Sequence, residues 1–191
     1  MSAGIVVDDN GVARCGWAAG NDDYMAYHDQ EWGTVVHGEI PLYERLTLEA
    51  FQSGLSWLTI LRKREGFRSA FGGFDPETVA GFSEVDCERL MADSSIVRNR
   101  RKIMAAVNNA QAVVRLRQQG GLDQLLWSFA PPVHQPPRTS ADVPATTAES
   151  HALAKVLKTN GFVFLGPTTL YAAMQACGLV NDHLVGCGRR G

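Results

Sequence analysis

From residue 98 to residue 119 the chain contains neither glycine nor proline, and Gly120-Gly121 ends the run. Glycine and proline are the residues that interrupt helices, and glycine supplies the turn after them. The stretch therefore reads as one long helix, the rod around which the rest must pack. Shorter stretches repeat the pattern. Pro41 opens a helix to about Ser53, and a second runs from Leu55 to about Phe71 before Gly72-Gly73. Asp75-Pro76 is an N-cap followed by proline at the first helical position. Ser83 with Asp86 forms a capping box for a helix to about Met91, and Leu122 to Phe129 makes a short helix. Thr147 caps a helix to about Thr159, with Asn160-Gly161 after it, and a last one runs from near Pro167 to Gly178. No hairpin of alternating strands, repeat or low-complexity tract interrupts this series, so the expected class is all-α.

The segment 130–146, rich in proline, reads as a long loop inside one globule, because the helices after it look incomplete alone. The expected organisation is a single domain over 13–191. Residues 1–12 precede it as a loose, flexible tail, in which Ile5, Val6 and Val7 could add a short extended piece.

Composition excludes several classes. With 191 residues, 45% hydrophobic and 20% charged, the chain is an ordinary globular one rather than a disordered one. It has no apolar run of about 18 residues, hence no membrane span, and no signal for secretion. Four cysteines without such a signal point to the reducing cytoplasm, and to thiols or metal ligands rather than disulfides. The net charge of −2 conceals an asymmetry. Residues 1–55 carry 2 basic and 9 acidic side chains, whereas residues 96–120 carry 6 basic and none acidic. That basic segment, with Arg98, Arg100, Arg101 and Lys102, suits a phosphate backbone or a solvated helix face.

Two pairs of metal-ligating residues stand at the ends of the chain. Cys15 and His28 are separated by twelve residues, and His183 and Cys187 by three, a spacing that would share one face of a helical turn. Two thiolates and two imidazoles make a tetrahedral set that zinc favours, closed to substrate and so structural. Cys177, in an apolar stretch, reads as a small buried hydrophobe, and Cys87 has no partner nearby. His37, His134 and His151 sit in polar surroundings and are expected to face solvent.

Glu49 is the informative carboxylate. It lies beside Leu42, Leu46 and Ser53, while Leu48, Phe51 and Leu55 make a second apolar face. A helix apolar on two sides is interior, and a carboxylate there needs a partner or a proton. The pattern also allows a surface ion pair with Arg45, four residues earlier, and on pattern alone that pair is the preferred reading. Trp17, Tyr24, Tyr27, Trp32 and Trp57 cluster around this region. They suit a core, or a site for a flat cationic ligand. The segment from Asn160 to Thr169 joins two helices. Its Gly161 and Gly166 and the amides of Thr168 and Thr169 would suit a plain turn or an anion site at a helix N-terminus.

These blocks together resemble the 3-methyladenine DNA glycosylase I family. The likeness rests on Arg14-Cys15-Gly16-Trp17, Tyr27-His28-Asp29, Glu31-Trp32-Gly33, the run from Leu48 to Trp57, the run from Ile96 to Ile103, Phe162 to Thr169, and Met174 to His183. It covers about residues 13–188 in order. The resemblance implies a helix-hairpin-helix glycosylase fold with two helical lobes and double-stranded DNA in the cleft between them. It implies a structural Zn2+ on Cys15, His28, His183 and Cys187, which joins the two ends of the chain. The family's pocket glutamate falls on Glu49, its base-contacting aromatics on Tyr27 and Trp57, with Trp17 and Trp32 nearby. That placement overturns the surface Arg45–Glu49 pair.

The implied activity is removal of 3-methyladenine, with 3-methylguanine as a minor substrate, by a monomer. In the turn Gln52-Ser53-Gly54-Leu55, Leu55 is the apolar candidate for filling the gap left by a flipped nucleotide. Gly166, Thr168 and Thr169 would hold phosphate. Wider relatives carry a catalytic aspartate after the hairpin, but here Asn181, not Asp182, falls at that place. The lysine of strand-cleaving relatives is missing as well, which implies base release without strand cleavage. Two other readings compete: a reader of alkylated DNA without catalysis, and a zinc hydrolase with an open metal position.

Overall fold

The computed structural model describes residues 4–190. The rod is present as α6 (Arg100–Leu116), and a short 3-10 turn (Arg117–Gln119) carries it to Gly120. The Asn99 side chain accepts from the Lys102 N–H to start it, and Gly120, at φ 96°, turns the chain out of it. The other helices are α1 (Asp22–Gln30), α2 (Glu39–Gln52), α3 (Trp57–Ala70), α4 (Pro76–Ala80), α5 (Glu84–Ala92), α7 (Gly121–Trp127), α8 (Ala148–Thr159) and α9 (Pro167–Ala176). The caps expected at Asp75, Ser83 and Thr147 all form.

Helix α2 is the axis of the molecule. Every residue from Leu42 to Phe51 except Arg45 is buried, because the helix packs against α9, α6, α3 and α7. Its two apolar faces meet different partners. Phe51 lies 4.7 Å from Phe67, and Tyr43 donates from its hydroxyl to the Ala106 carbonyl of α6 at 2.9 Å. Phe71 stacks on Phe74 at 5.6 Å and continues this aromatic layer. Each such ring contributes about 1.5–3 kcal/mol by leaving water, so the layer fixes where α2, and Glu49 on it, must stand.

Three features differ from the sequence reading. First, α2 starts at Glu39, ahead of Pro41; Gly38 takes φ 97° at its N-cap, and Pro41 falls in the first turn, where its missing N–H leaves no bond unmade. Second, the sequence reading passed over α1. Its signal was local: the Asn21 side chain accepts from the Tyr24 N–H, and Asp22 and Asp23 complement the positive end of the helix. Third, the extended piece allowed at Ile5, Val6 and Val7 forms, so residues 5–12 are not a loose tail. Ile5–Val7 (β1) pairs antiparallel with Ala13–Cys15 (β2), Ile5 opposite Cys15. Asp8 accepts from the N–H groups of Asn10 and Val12, and Gly11 at φ 78° completes the turn. So small a hairpin is marginal by itself. Arg14 anchors it by bridging Asp8 and Asp29. The remainder of the presumed tail, residues 1–3, lies outside the described residues.

Candidate functional site

The hairpin and α1 each deliver one residue of a four-residue cluster, and the C-terminal segment delivers the other two. β2 ends at Cys15, α1 presents His28 near its end, and a turn carries His183 and Cys187. That last segment is a turn and not the helical turn expected from the spacing; Gly186 takes φ 91° and the Cys187 N–H reaches the Leu184 carbonyl. All four ligand atoms lie within 4.8 Å of one another and all four residues are buried. His183 Nδ1 stands 3.2 Å from His28 Nε2, 3.5 Å from Cys187 Sγ and 3.9 Å from Cys15 Sγ, and Cys187 Sγ is 3.5 Å from His28 Nε2. A tetrahedral ion with nitrogen and sulfur bonds of about 2.0–2.3 Å sets its ligand atoms about 3.3–3.8 Å apart. The cluster could hold a metal ion.

Its surroundings suit one. The far nitrogen of His28 meets Asp29 at 2.8 Å, and that of His183 meets the Trp32 carbonyl at 3.0 Å, which orients both rings. Cys15 Sγ accepts the Leu184 N–H, and Cys187 Sγ accepts the Arg189 N–H. Burial lowers the pKa of His28 and takes that of His183 down to about 4, so both rings are neutral at pH 7, the form that ligates. Burial pushes the Cys15 thiol up to about 12, so a cation would have to displace its proton.

The cluster's neighbours form the wall of a cavity. Trp17 packs edge-on to Trp32 at 5.0 Å and to His28 at 5.3 Å, and Trp32 lies 4.7 Å from the His183 ring. On the opposite side of this layer a cavity of about 240 Å³ is lined by Trp17, Tyr24, Tyr27, Trp32, Glu49, Gln52, Trp57, Ala172 and Gln175. Successive residues of α1 thus serve both places, Tyr27 the cavity and His28 the cluster. Tyr27 and Trp57 lie 5.3 Å apart with their planes tilted by 50°. Tyr24 is held by accepting the Leu58 N–H, which joins α1 to α3.

Glu49 is 6% exposed and faces this cavity. The Arg45–Glu49 pair preferred on pattern alone, and overturned by the resemblance, is absent: Arg45 donates to Glu31 at 2.9 Å, and Arg64 donates to the same carboxylate. Glu31 therefore takes the cations, and among the described residues no group hydrogen-bonds the Glu49 carboxylate. Burial raises its pKa to about 8, against a smaller opposing pull from Arg45. An unligated Glu49 is thus protonated at neutral pH, and a cation entering the cavity would favour its ionised form. The buried Trp57 indole N–H has no partner either.

A second depression adjoins the cavity and shares Glu49, Gln52 and Ala172 with it. It brings Gln52, Gly54 and Leu55 of the turn after α2 beside Thr168 and Thr169 at the start of α9. Gly54 takes φ 81° and Leu55 is 41% exposed at the tip. Lys102 holds this turn from beneath, donating to the Phe51 carbonyl at 2.8 Å and the Ser53 carbonyl at 2.5 Å. Gly166 lies in a separate groove with Gly161, Lys155 and Lys158. Two asparagines of α6 pin that hairpin. Asn109 exchanges hydrogen bonds with the N–H and carbonyl of Val163, and Asn108 donates to the Gly161 carbonyl at 2.7 Å. The sequence reading missed both, although paired asparagines inside a helix are unfavourable without such partners.

The basic segment divides. Lys102 is buried, and Arg100 is paired with Glu84 and Glu88, so neither is free on the surface. Arg101 lies over the Phe164 ring at 5.6 Å. His134 is a further correction, because its side chain is only 23% exposed and Nε2 meets Asp182 at 2.8 Å. Asp182 is wholly committed: it also accepts from the Tyr171 hydroxyl and the Gln175 amide, each at 2.7 Å. Asn181 is spent on the Arg190 carbonyl and the His183 N–H. Neither residue is available as a base.

The family model for methyladenine glycosylase matches residues 17–190. DNA-3-methyladenine glycosylase 1 of Escherichia coli (strain K12) is 48% identical over 181 residues, covering 92% of this chain and 96% of the relative. A crystal structure of 3-methyladenine DNA glycosylase I superposes with a TM-score of 0.88 at 44% identity, over 92% of this chain and 98% of that one. The Staphylococcus aureus 3-methyladenine DNA glycosylase I, whose structure addresses 3-methyladenine recognition, gives 0.88 at 35% identity, over 93% and 96%. With the match spanning nearly the whole chain, the cavity residues included, the protein belongs to the methyladenine glycosylase family.

Proposed function

We propose that this protein excises 3-methyladenine from alkylated double-stranded DNA by hydrolysing the N-glycosidic bond, leaving an abasic site. The observation that carries the reading is Glu49, a buried carboxyl without a protein partner among the described residues, facing a cavity walled by aromatic rings. N3-methylation places a positive charge on adenine. A cationic base is attracted to ring faces and to a carboxylate, whereas neutral adenine is not. Tyr27 and Trp57 hold the ring, Trp17 and Trp32 close the wall behind it, and Glu49 accepts hydrogen bonds from the base edge. Binding the cation lowers the Glu49 pKa and releases its proton.

The bond to be broken is already weak, so no protonation of the leaving base is required. The C1′–N9 bond breaks with its electron pair going to the purine, which leaves neutral. Water oxygen bonds to C1′ and its surplus proton passes to solvent. That chemistry tolerates the absence of a free aspartate near Asn181 and Asp182. Among the described residues no lysine lines the cavity, which supports base release without strand cleavage. Leu55 fills the gap in the duplex, with Gln52 and Gly54 beside it, and Gly166, Thr168 and Thr169 receive backbone phosphate. Cys15, His28, His183 and Cys187 hold one structural Zn2+, with all four positions closed to substrate. The protein acts as a monomer in the cytoplasm, and 3-methylguanine is a minor substrate.

The test is incubation with DNA treated with a methylating agent, followed by chromatography of released bases. Free 3-methyladenine, little 7-methylguanine and intact strands are expected from the wild type. Loss of release in Glu49→Gln or Tyr27→Ala, with metal and fold retained, places the site. Tight binding of methylated DNA without any release would replace the enzyme with a reader.

A further inference from the structure

Gln175, in the last turn of α9, lines the cavity that contains Glu49 and also a second cavity of about 290 Å³ bounded by Gly16, Trp17, Trp32, Asp182 and Leu184. Its Nε2 donates to Asp182 Oδ2 at 2.7 Å. The orientation of that amide follows from chemistry: a carboxylate oxygen only accepts, so the nitrogen must face it. Asp182 is itself held by Tyr171 at 2.7 Å and by His134 at 2.8 Å, and it borders the second cavity and not the first. The amide therefore cannot flip without losing its bond. Among the described residues no group donates to Gln175 Oε1.

We propose that Gln175 is a specificity-determining residue, its carbonyl a fixed acceptor for an exocyclic amine of the flipped base. The inference rests on the reading of this cavity as a base pocket and adds a contact to it. Glu49 can change protonation state and so can either donate or accept. Gln175 cannot, because Asp182 fixes its direction. A base that presents a carbonyl where adenine has its 6-amino group would set oxygen against oxygen. A fixed acceptor thus favours an amine over a carbonyl at C6, which keeps 3-methylguanine a minor substrate and disfavours methylated hypoxanthine.

The experiment is calorimetric titration of the metal-loaded protein with two free bases, 3-methyladenine and 3-methylhypoxanthine, which differ in the group at C6. Wild type is expected to bind the first much more tightly. Gln175→Met keeps the length of the side chain and removes the acceptor. It should weaken 3-methyladenine binding about tenfold and leave 3-methylhypoxanthine unchanged or tighter. Equal losses for both bases, or no loss for either, would overturn the assignment. If wild type binds neither base, the pocket reading itself fails and takes the proposal with it. Should Gln175→Met misfold, Gln175→Asn serves: it is one methylene too short to reach from Asp182 into the cavity and must show the same narrowing of preference.

Discussion

The cluster of Cys15, His28, His183 and Cys187 and the cavity around Glu49 share one aromatic layer, yet their polar groups are treated in opposite ways. In the cluster, each imidazole's outer nitrogen has an acceptor and each sulfur receives a backbone N–H. In the cavity, the Glu49 carboxyl and the Trp57 indole N–H have no protein partner among the described residues. Buried polar groups left unpaired cost about 1–3 kcal/mol each. The first region's polar groups are partnered within the chain around a space that could hold an ion. In the second, Glu49 faces the cavity with no partner among the described residues, so a ligand there can supply one. The difference separates a part that stabilises the fold from a part that the fold must sustain.

Breaking the cluster should have the largest effect. Cys15→Ala, or extraction of the metal by a chelator, should lower Tm by more than about 10 °C, since 1 kcal/mol is worth about 2–4 °C in a chain of this size and a structural ion contributes several kcal/mol. Because Trp17 and Trp32 pack on His28 and His183, their fluorescence should change with metal loss and base excision should disappear. Thermal unfolding, metal content and emission spectra check this together. A metal-free protein with unchanged Tm and activity would contradict it.

The cavity should respond in the reverse sense. Glu49→Gln is expected to abolish excision, by about 100-fold or more, while making the protein more stable. The folded-state pKa of about 8 lies above the ordinary 4.5, so between those values the folded chain keeps a proton that the unfolded chain has lost. Stability from this group is full below pH 4.5 and falls as the pH rises towards 8. At about 1.36 kcal/mol per pKa unit the loss approaches about 5 kcal/mol as an upper figure. The Glu49→Gln variant should therefore gain stability over wild type increasingly from about pH 5 to about pH 8. Denaturant titrations at those two pH values measure it, and equal gains at both would remove the account of Glu49 given above.

A smaller effect belongs to the support between the two regions and the DNA. Lys102→Met removes both bonds to the turn after α2. It should cost about 1–2 kcal/mol of stability and raise KM for methylated DNA several-fold while free-base binding stays near wild type. A parallel loss in both would mean that Lys102 supports the cavity rather than the turn.

Legibility differed along the chain for physical reasons. Helix ends at Asp75, Ser83 and Thr147 were readable because capping is local, with donor and acceptor three residues apart; the equally local cap at Asn21 was overlooked. The four residues of the cluster could be picked out by residue type, and the resemblance grouped them into one set. What could not be read were pairings set by distant elements. Arg45 is nearer to Glu49 in sequence, but tertiary packing gives it Glu31. His134 looked solvent-facing because its partner Asp182 is 48 residues away along the chain. Lys102 looked like a surface charge because nothing local shows that two carbonyls wait above it. Local sequence specifies caps and turns, and long-range packing chooses partners for charges.

Leu55 gives the smallest effect on the fold and the sharpest separation of the two regions. It is 41% exposed at the tip of its turn and belongs to no buried cluster. Truncation to alanine removes a half-exposed side chain that packs into no core cluster, so stability should stay within about 0.5 kcal/mol of wild type. Its proposed work begins only when a nucleotide leaves the stack, where an apolar side chain occupies the vacated space. Leu55→Ala should accordingly lower kcat/KM on duplex DNA about tenfold and leave binding of free 3-methyladenine unaltered. On single-stranded methylated DNA, with no stack to fill, the defect should nearly vanish. Equal defects on duplex and single strands would show that Leu55 shapes the cavity, and would move the boundary between the part that meets DNA and the part that meets the base.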